Sequence, residues 1–330
     1  TGYSPVQRPV SNTPYTYAPT NATNLTTRED YGQPVDFSYL LSRDKKIVSF
    51  VGTTKNGTSF VVNNVARLLA SKGIRTAILD TTQNKNSYYI FTNNEENLRK
   101  IAYNSITELR NGQPVGINVD KNLSVFTSLP GEDKGIDDYS RILETLVKNY
   151  SVILIDCDFQ TNEEYFRSSQ EIYLVQSLDV LTIQPFTAFL KELKNKNILD
   201  ESKLRIVINK FLKVRTMTEK TIVGGLAYYN DPAMSYMSDL FNKDTAKYCT
   251  LPFEEQTYAK YLEGLVNCEI NLNGYSKNFL MCLEKLAGIV YPLMETSRTY
   301  GNYANTKNYN NEAGFSTNMN QTLDKMKRGF

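Results

Sequence analysis

The apolar and polar positions of the chain fall into a repeated strand-then-helix pattern. Ile47–Val51 is a short, largely apolar run, the signature of a strand buried on both faces. A polar loop follows, and then Phe60, Val61, Val65, Leu68 and Leu69 recur at helical spacing. Gly73 is placed to cap that helix, and Arg75–Asp80 reads as a second buried strand ending in a carboxylate. Further on, the pattern predicts helices over Glu95–Ala102 and Ile106–Asn111, a turn with Gly112 and Pro114, and a strand over Leu123–Thr127. It then predicts an amphipathic helix over Asp137–Asn149, with Tyr139, Ile142, Leu143 and Leu146 on one face, and a buried strand over Tyr150–Asp156. Glu171–Ser177 is the next strand, Asp179–Lys194 the next helix, and Lys203–Asn209 a strand ending in Asn209-Lys210. Residues 228–244 read as an extra helix and loop, and Asn278–Tyr291 as a last helix, apolar through Leu280, Leu283, Leu286 and Val290. Alternation of this kind predicts an α/β fold with a mostly parallel sheet and helices on both faces, in three layers.

The flanks are different. Residues 1–44 are rich in Thr, Pro, Asn, Tyr and Ser without hydrophobic period, and are expected to form a disordered segment or linker. Phe37, Tyr39, Leu40 and Leu41 form one small apolar cluster there that is placed to pack on the sheet edge. The domain is expected over residues 45–295, with a flexible tail over 296–330. In that tail Met319, Leu323, Met326 and Phe330 share a helical face beside Lys325, Lys327 and Arg328, a short amphipathic stretch suited to weak membrane contact over 319–330.

Composition narrows the chemistry. At 330 residues with 41% hydrophobic positions the chain can bury a substantial core, and a net charge of +2 does not argue for nucleic acid or anionic lipid. There is no histidine, and the four cysteines (Cys157, Cys249, Cys268 and Cys282) have no C-x-x-C spacing. Zinc sites and Ser-His or Cys-His catalysis are therefore not expected, and scattered cysteines suit a reducing cytosol. No apolar run is long enough to span a bilayer and no signal-peptide pattern opens the chain. The first residue is Thr1, so sequence upstream is expected to have been removed.

The loop Gly52-Thr53-Thr54-Lys55-Asn56-Gly57-Thr58-Ser59 nearly fits the phosphate-binding spacing G-x-x-x-x-G-K-[ST], with Gly52, Gly57 and Ser59 in register. Thr58 stands where the lysine belongs. Backbone amides can still cradle an anion and Ser59 can still offer a hydroxyl to Mg²⁺. The charge-assisted contact of the lysine, about 1.5–3 kcal/mol, is lost.

This loop resembles the deviant P-loop of the MinD/ParA family, K-G-G-x-G-K-[ST]. The resemblance puts the family's signature lysine, which crosses a dimer interface to the partner's phosphates, on Thr53, and puts Lys55 where the family has glycine. It extends over about residues 45–292: Asp80 matches the first acid of D-x-D while Thr82 replaces the second. Residues 122–130 look like the N-L-x-[VI]-L-P loop, and Val152–Asp156 matches the Walker B strand, followed by Cys157-Asp158. Asn209-Lys210 matches V-[LV]-N-[RK], and Leu251-Pro252-Phe253 with Tyr258, Ala259 and Gly264 looks like the end of the MinD-like and CpaE/TadZ-like branches. The CpaE/TadZ-like branch often carries an N-terminal receiver-like domain.

The resemblance implies that residues 52–59 and Asn209 contact nucleotide, with Asn209 near adenine, and that Ser59, Asp80 and Asp156 attend Mg²⁺. Asp80 and Asp156 are the catalytic candidates. It implies ATP or ADP with Mg²⁺ as ligand, bound weakly and hydrolysed little, because positions 53, 58 and 82 all depart from the pattern. The expected role is a positioning or assembly factor for a pilus, secretion or other cell-surface machine. Its expected partners are protein components of that machine and the inner face of the membrane, in an otherwise cytoplasmic protein, with any homodimer independent of nucleotide or absent. Two other readings follow from the same domain. One is a P-loop tyrosine autokinase, suggested by Tyr291, Tyr300, Tyr303 and Tyr309 and opposed by Thr58. The other is a DNA-partitioning ParA, which rests on Lys191, Lys194, Lys196, Lys203 and Lys210 alone.

Overall fold

A computed structural model describes residues 44–93, 95–132 and 135–293. The expectations for the N-terminal segment up to residue 43, its apolar cluster, and the tail from residue 294 lie outside the described residues.

Eight strands form the main sheet: β1 (Lys46–Val51), β2 (Thr76–Asp80), β3 (Ile117–Asp120), β4 (Leu123–Phe126), β5 (Val152–Cys157), β6 (Glu171–Gln176), β7 (Leu204–Phe211) and β10 (Lys247–Pro252). Their order is β10-β7-β6-β1-β5-β2-β4-β3. Every pairing is parallel except β3 on β4, which is a short antiparallel edge. The central strands are buried along their length, as parallel strands covered on both faces must be.

Because side chains alternate across a strand, one face of the sheet collects Ile47, Val51, Ala77, Leu79, Ile153, Ile155, Ile172, Leu174, Ile206 and Ile208. They share a core with apolar residues of α3 (Glu96–Arg110), α4 (Tyr139–Asn149), α5 (Glu163–Ser168), α6 (Ile183–Asn195) and α7 (Glu219–Leu226). The helix α1 (Thr58–Ser71) packs on β2 and β5, and on α9 (Lys277–Val290). The two remaining helices are α2 (Asn86–Phe91) and α8 (Glu255–Val266). The three-layer α/β architecture expected from the sequence is the one observed.

Some elements differ from expectation. The predicted helices over 95–102 and 106–111 are one continuous helix, α3, which buries Ala102, Ser105, Ile106 and Leu109. The chain ahead of β4 forms a further strand, β3, which the sequence pattern did not predict. Residues 228–244 hold a hairpin, β8 (Tyr228–Asp231) with β9 (Tyr236–Asp239), in place of the expected helix. Asp231-Pro232 starts its turn and Ser235 closes it in the left-handed region at φ 52°. Lys191 of α6 holds the hairpin down, 3.2 Å from Asp231 and 4.4 Å above the Tyr229 ring.

Candidate functional site

The C-terminal ends of β1, β5 and β7, with the N-terminus of α1, open on a cleft of about 250 Å³. In parallel α/β sheets this is where ligands bind. Gly52 ends β1 so close to β6 that a Cβ there would lie 2.5 Å from the Val175 carbonyl. Gly57 has φ 84°, and a Cβ there would lie 2.5 Å from Nδ2 of Asn209. Gly52 is required by space, and Gly57 by space and by its left-handed backbone. Gly57 leads α1 without a side-chain cap, and its first turn has no acidic residue. The first amides of α1 are thus left to an anion.

The loop is fastened from behind. Asn56 is fully buried and donates to Gln176 at 3.2 Å, while its own oxygen accepts from Ser177 at 2.7 Å. Asn209, also buried, donates to the Asn56 carbonyl at 2.8 Å, and Lys210 Nζ donates to the Lys55 carbonyl at 3.0 Å. Asn56 therefore points into the protein, whereas Gly52, Thr53, Thr54, Lys55, Gly57, Thr58, Ser59 and Asn209 line the cleft. Lys55 sits at φ 77°, a conformation that suits the glycine of the P-loop pattern better than lysine.

The two acids lie opposite each other on β2 and β5. Asp80, expected at a metal or water, has its oxygens taken instead. It accepts from the Thr82 amide at 3.1 Å, the Thr82 hydroxyl at 2.7 Å and the Ser87 amide at 3.0 Å, with Thr127 at 3.4 Å. It holds the loop leading into α2 and is not among the cleft-lining residues. Asp156 is the opposite case: it lines the cleft, is fully buried, and neither oxygen has a hydrogen-bond partner among the described residues. Burial, with the Asp80 charge beside it, pushes its carboxyl well above the usual range, against the pull of the nearby Ser59 hydroxyl, which is too poorly placed to form a hydrogen bond. Burial also raises Asp80, against its hydrogen bonds and the charge of Lys85.

Lys85 was missed by sequence reasoning. It is fully buried, with its backbone at φ 47°, and its charge favours the ionised form of both acids. Asp158, beside the cleft, accepts from the Gln83 and Gln160 amides at 2.6 and 2.8 Å, tying two loops together. Asn86 donates to the Ser59 hydroxyl at 3.2 Å. The far wall is aromatic. Phe60 meets Tyr261 edge-on at 4.7 Å and Phe279 at 5.8 Å, with Phe253 and Tyr258 alongside.

These residues fit a magnesium nucleotide. The hydroxyls of Thr53 and Thr58 are buried and unpartnered among the described residues, like the Asp156 oxygens, and all three line the cleft. Among the described residues no group of three His, Cys, Asp or Glu could hold a metal ion.

Solved structures decide the fold. A plasmid-partition-type protein from Borrelia burgdorferi B31, bound to AMPPNP, superposes with a TM-score of 0.54 at 19% identity over 74% of this chain and 98% of that one. The ParA family ATPase from Chlorobium tepidum TLS gives 0.54 at 14% identity, over 74% and 98%. MinD in the MinC:MinD cell division complex of Aquifex aeolicus gives 0.53 at 14% identity, over 74% and 96%.

The fold is that of the MinD and ParA ATPases.

No protein-family model matches the chain, and no curated protein matches it. Among the described residues, no helix is long and apolar enough to cross a membrane.

Proposed function

We propose that this chain is a MinD/ParA-type positioning or assembly factor whose cleft binds ATP or ADP with Mg²⁺ weakly and turns it over little or not at all. One observation carries the reading: the loop, Ser59 and the unpartnered Asp156 are built for a magnesium phosphate, yet Thr58 occupies the position of the phosphate-binding lysine. Ser59 and Asp156 would attend the metal. The amides of residues 55–59 would cradle phosphate, and Pro252, Phe253 and Tyr258 would flank the base. Bound Mg²⁺ would neutralise phosphate charge. Without lysines at positions 53 and 58 the chain offers less of the charge stabilisation on which phosphoryl transfer depends.

The resemblance to the CpaE/TadZ-like branch supports service to a pilus, secretion or other cell-surface machine, with its protein components as partners. The MinC:MinD complex supports a partner protein docking on this fold. Steady-state phosphate release from ATP and Mg²⁺ by the full chain tests the reading. Release at background level is expected, and turnover at the rate of active MinD or ParA proteins would overturn it.

A further inference from the structure

If Thr58 cannot meet the phosphates with a charge, another group beside the loop can. Among the described residues two lysines line the cleft beside the loop, Lys55 and Lys210, and a third, Lys85, lies among the acids. Lys85 is buried and acts on the two acids. Lys55 is exposed on the loop itself. Lys210 is half-buried and lines the cleft.

Its placement is specific. Lys210 follows the buried Asn209 in β7 and takes φ 54°, a left-handed backbone that disfavours a non-glycine residue. That turn lays its stem along the phosphate loop, where Cε lies 3.5 Å from the Cβ position of Gly57. Nζ then donates to the Lys55 carbonyl at 3.0 Å. An ammonium has three donors, and this bond uses one. Among the described residues no carboxylate pairs with Lys210, although Lys46, Lys191 and Lys196 are all paired.

We propose that Lys210, reaching over the loop from the end of β7, supplies the positive charge at the phosphates that Thr58 does not. The proposal rests on the nucleotide reading above and deepens it: the ligand is a nucleoside di- or triphosphate, and its charge is met by a cation from a different strand. The bond to the Lys55 carbonyl serves as the resting position of the ammonium.

Calorimetric titration of ADP with Mg²⁺ into the full chain tests this, using Lys210→Gln, Lys210→Met and Lys210→Arg beside the parent, each also in a Thr58→Lys background. Glutamine keeps a donor for the Lys55 carbonyl and removes the charge. A role at the phosphates predicts that Gln and Met both weaken ADP binding roughly tenfold or more while Arg stays within a few fold. It also predicts that the loss shrinks once Thr58→Lys restores the loop charge. Binding by Lys210→Gln equal to the parent, whether or not Lys210→Met binds, would reduce Lys210 to a brace and overturn the proposal alone. A parent that binds no ADP would overturn the nucleotide reading and the proposal with it.

Discussion

The side-chain amide of Asn209 donates to the Asn56 carbonyl at 2.8 Å, fastening the phosphate loop to β7 across 153 residues of sequence. Asn56 in turn reaches Gln176 and Ser177 at the end of β6. Side chains therefore tie the loop to the ends of both β6 and β7. Replacing Asn209 with Ala leaves the buried Asn56 carbonyl without that donor, so we expect a loss of about 1–3 kcal/mol in stability. Urea unfolding followed by circular dichroism measures it, and an unchanged midpoint would show that the loop does not depend on this tie.

Asp156 should behave in the opposite way. Its buried, unpartnered carboxylate is costly in the protein without ligand, because nothing replaces its lost hydration. Asp156→Asn is expected to raise the thermal midpoint of the ligand-free protein by a few degrees, the equivalent of about 1 kcal/mol or more. The same change should abolish any stabilisation by ATP and Mg²⁺. Differential scanning fluorimetry with and without ligand reads both effects.

Glu254 links α8 to α9. It accepts from Asn278 at 2.8 Å and Thr257 at 3.2 Å, and from the hydroxyl of Ser276. Burial pulls its carboxyl up, but these bonds outweigh burial and hold it below the ordinary glutamate value. A lowered folded-state pKa contributes stability that is present above the unfolded value and lost as pH falls through the folded one. Glu254→Gln should therefore melt below the parent at pH 7, and the gap should close below about pH 4. A gap that persists unchanged into acid would place the effect in packing.

Thr53 predicts the behaviour of the oligomer. The family pattern uses a lysine at this position to reach across a dimer interface, and a threonine hydroxyl has neither the length nor the charge. The mass of the protein by light scattering is expected to be the same with ATP and Mg²⁺ as without. A nucleotide-dependent doubling would show that some other group bridges the subunits.

Much of this architecture was legible in the chain because buried parallel strands are short apolar runs and amphipathic helices repeat at 3.6 residues. β1, β2, β5, β6 and β7, with α1, α4 and α9, were readable on those grounds. The hairpin at 228–239 was not. Its tyrosines and methionines carry no period, and it is held by Lys191, far away in sequence. α3 was split in two because Tyr103, Asn104 and Ser105 interrupt its apolar stripe, yet Ser105 is buried and donates to the Thr127 carbonyl at 2.6 Å.

At the site, the loop spacing pointed to Ser59 and the resemblance pointed to Asp156, and both line the cleft. Spacing could not show that Asn56 turns inward, since a loop residue has no periodic face. Nor could it show that Asp80 is occupied by Thr82 and Ser87, or that Lys85, a lysine among polar loop residues, is buried beside two acids. Those facts depend on contacts that only the folded sheet creates.

The central claim is that the cradle survives while its principal charge has gone. Calorimetric titration of ATP with Mg²⁺ into the parent and into Thr58→Lys tests it most directly. We predict weak binding by the parent and binding stronger by roughly tenfold or more in Thr58→Lys. Equal affinity in the two proteins, or none in either, would contradict it.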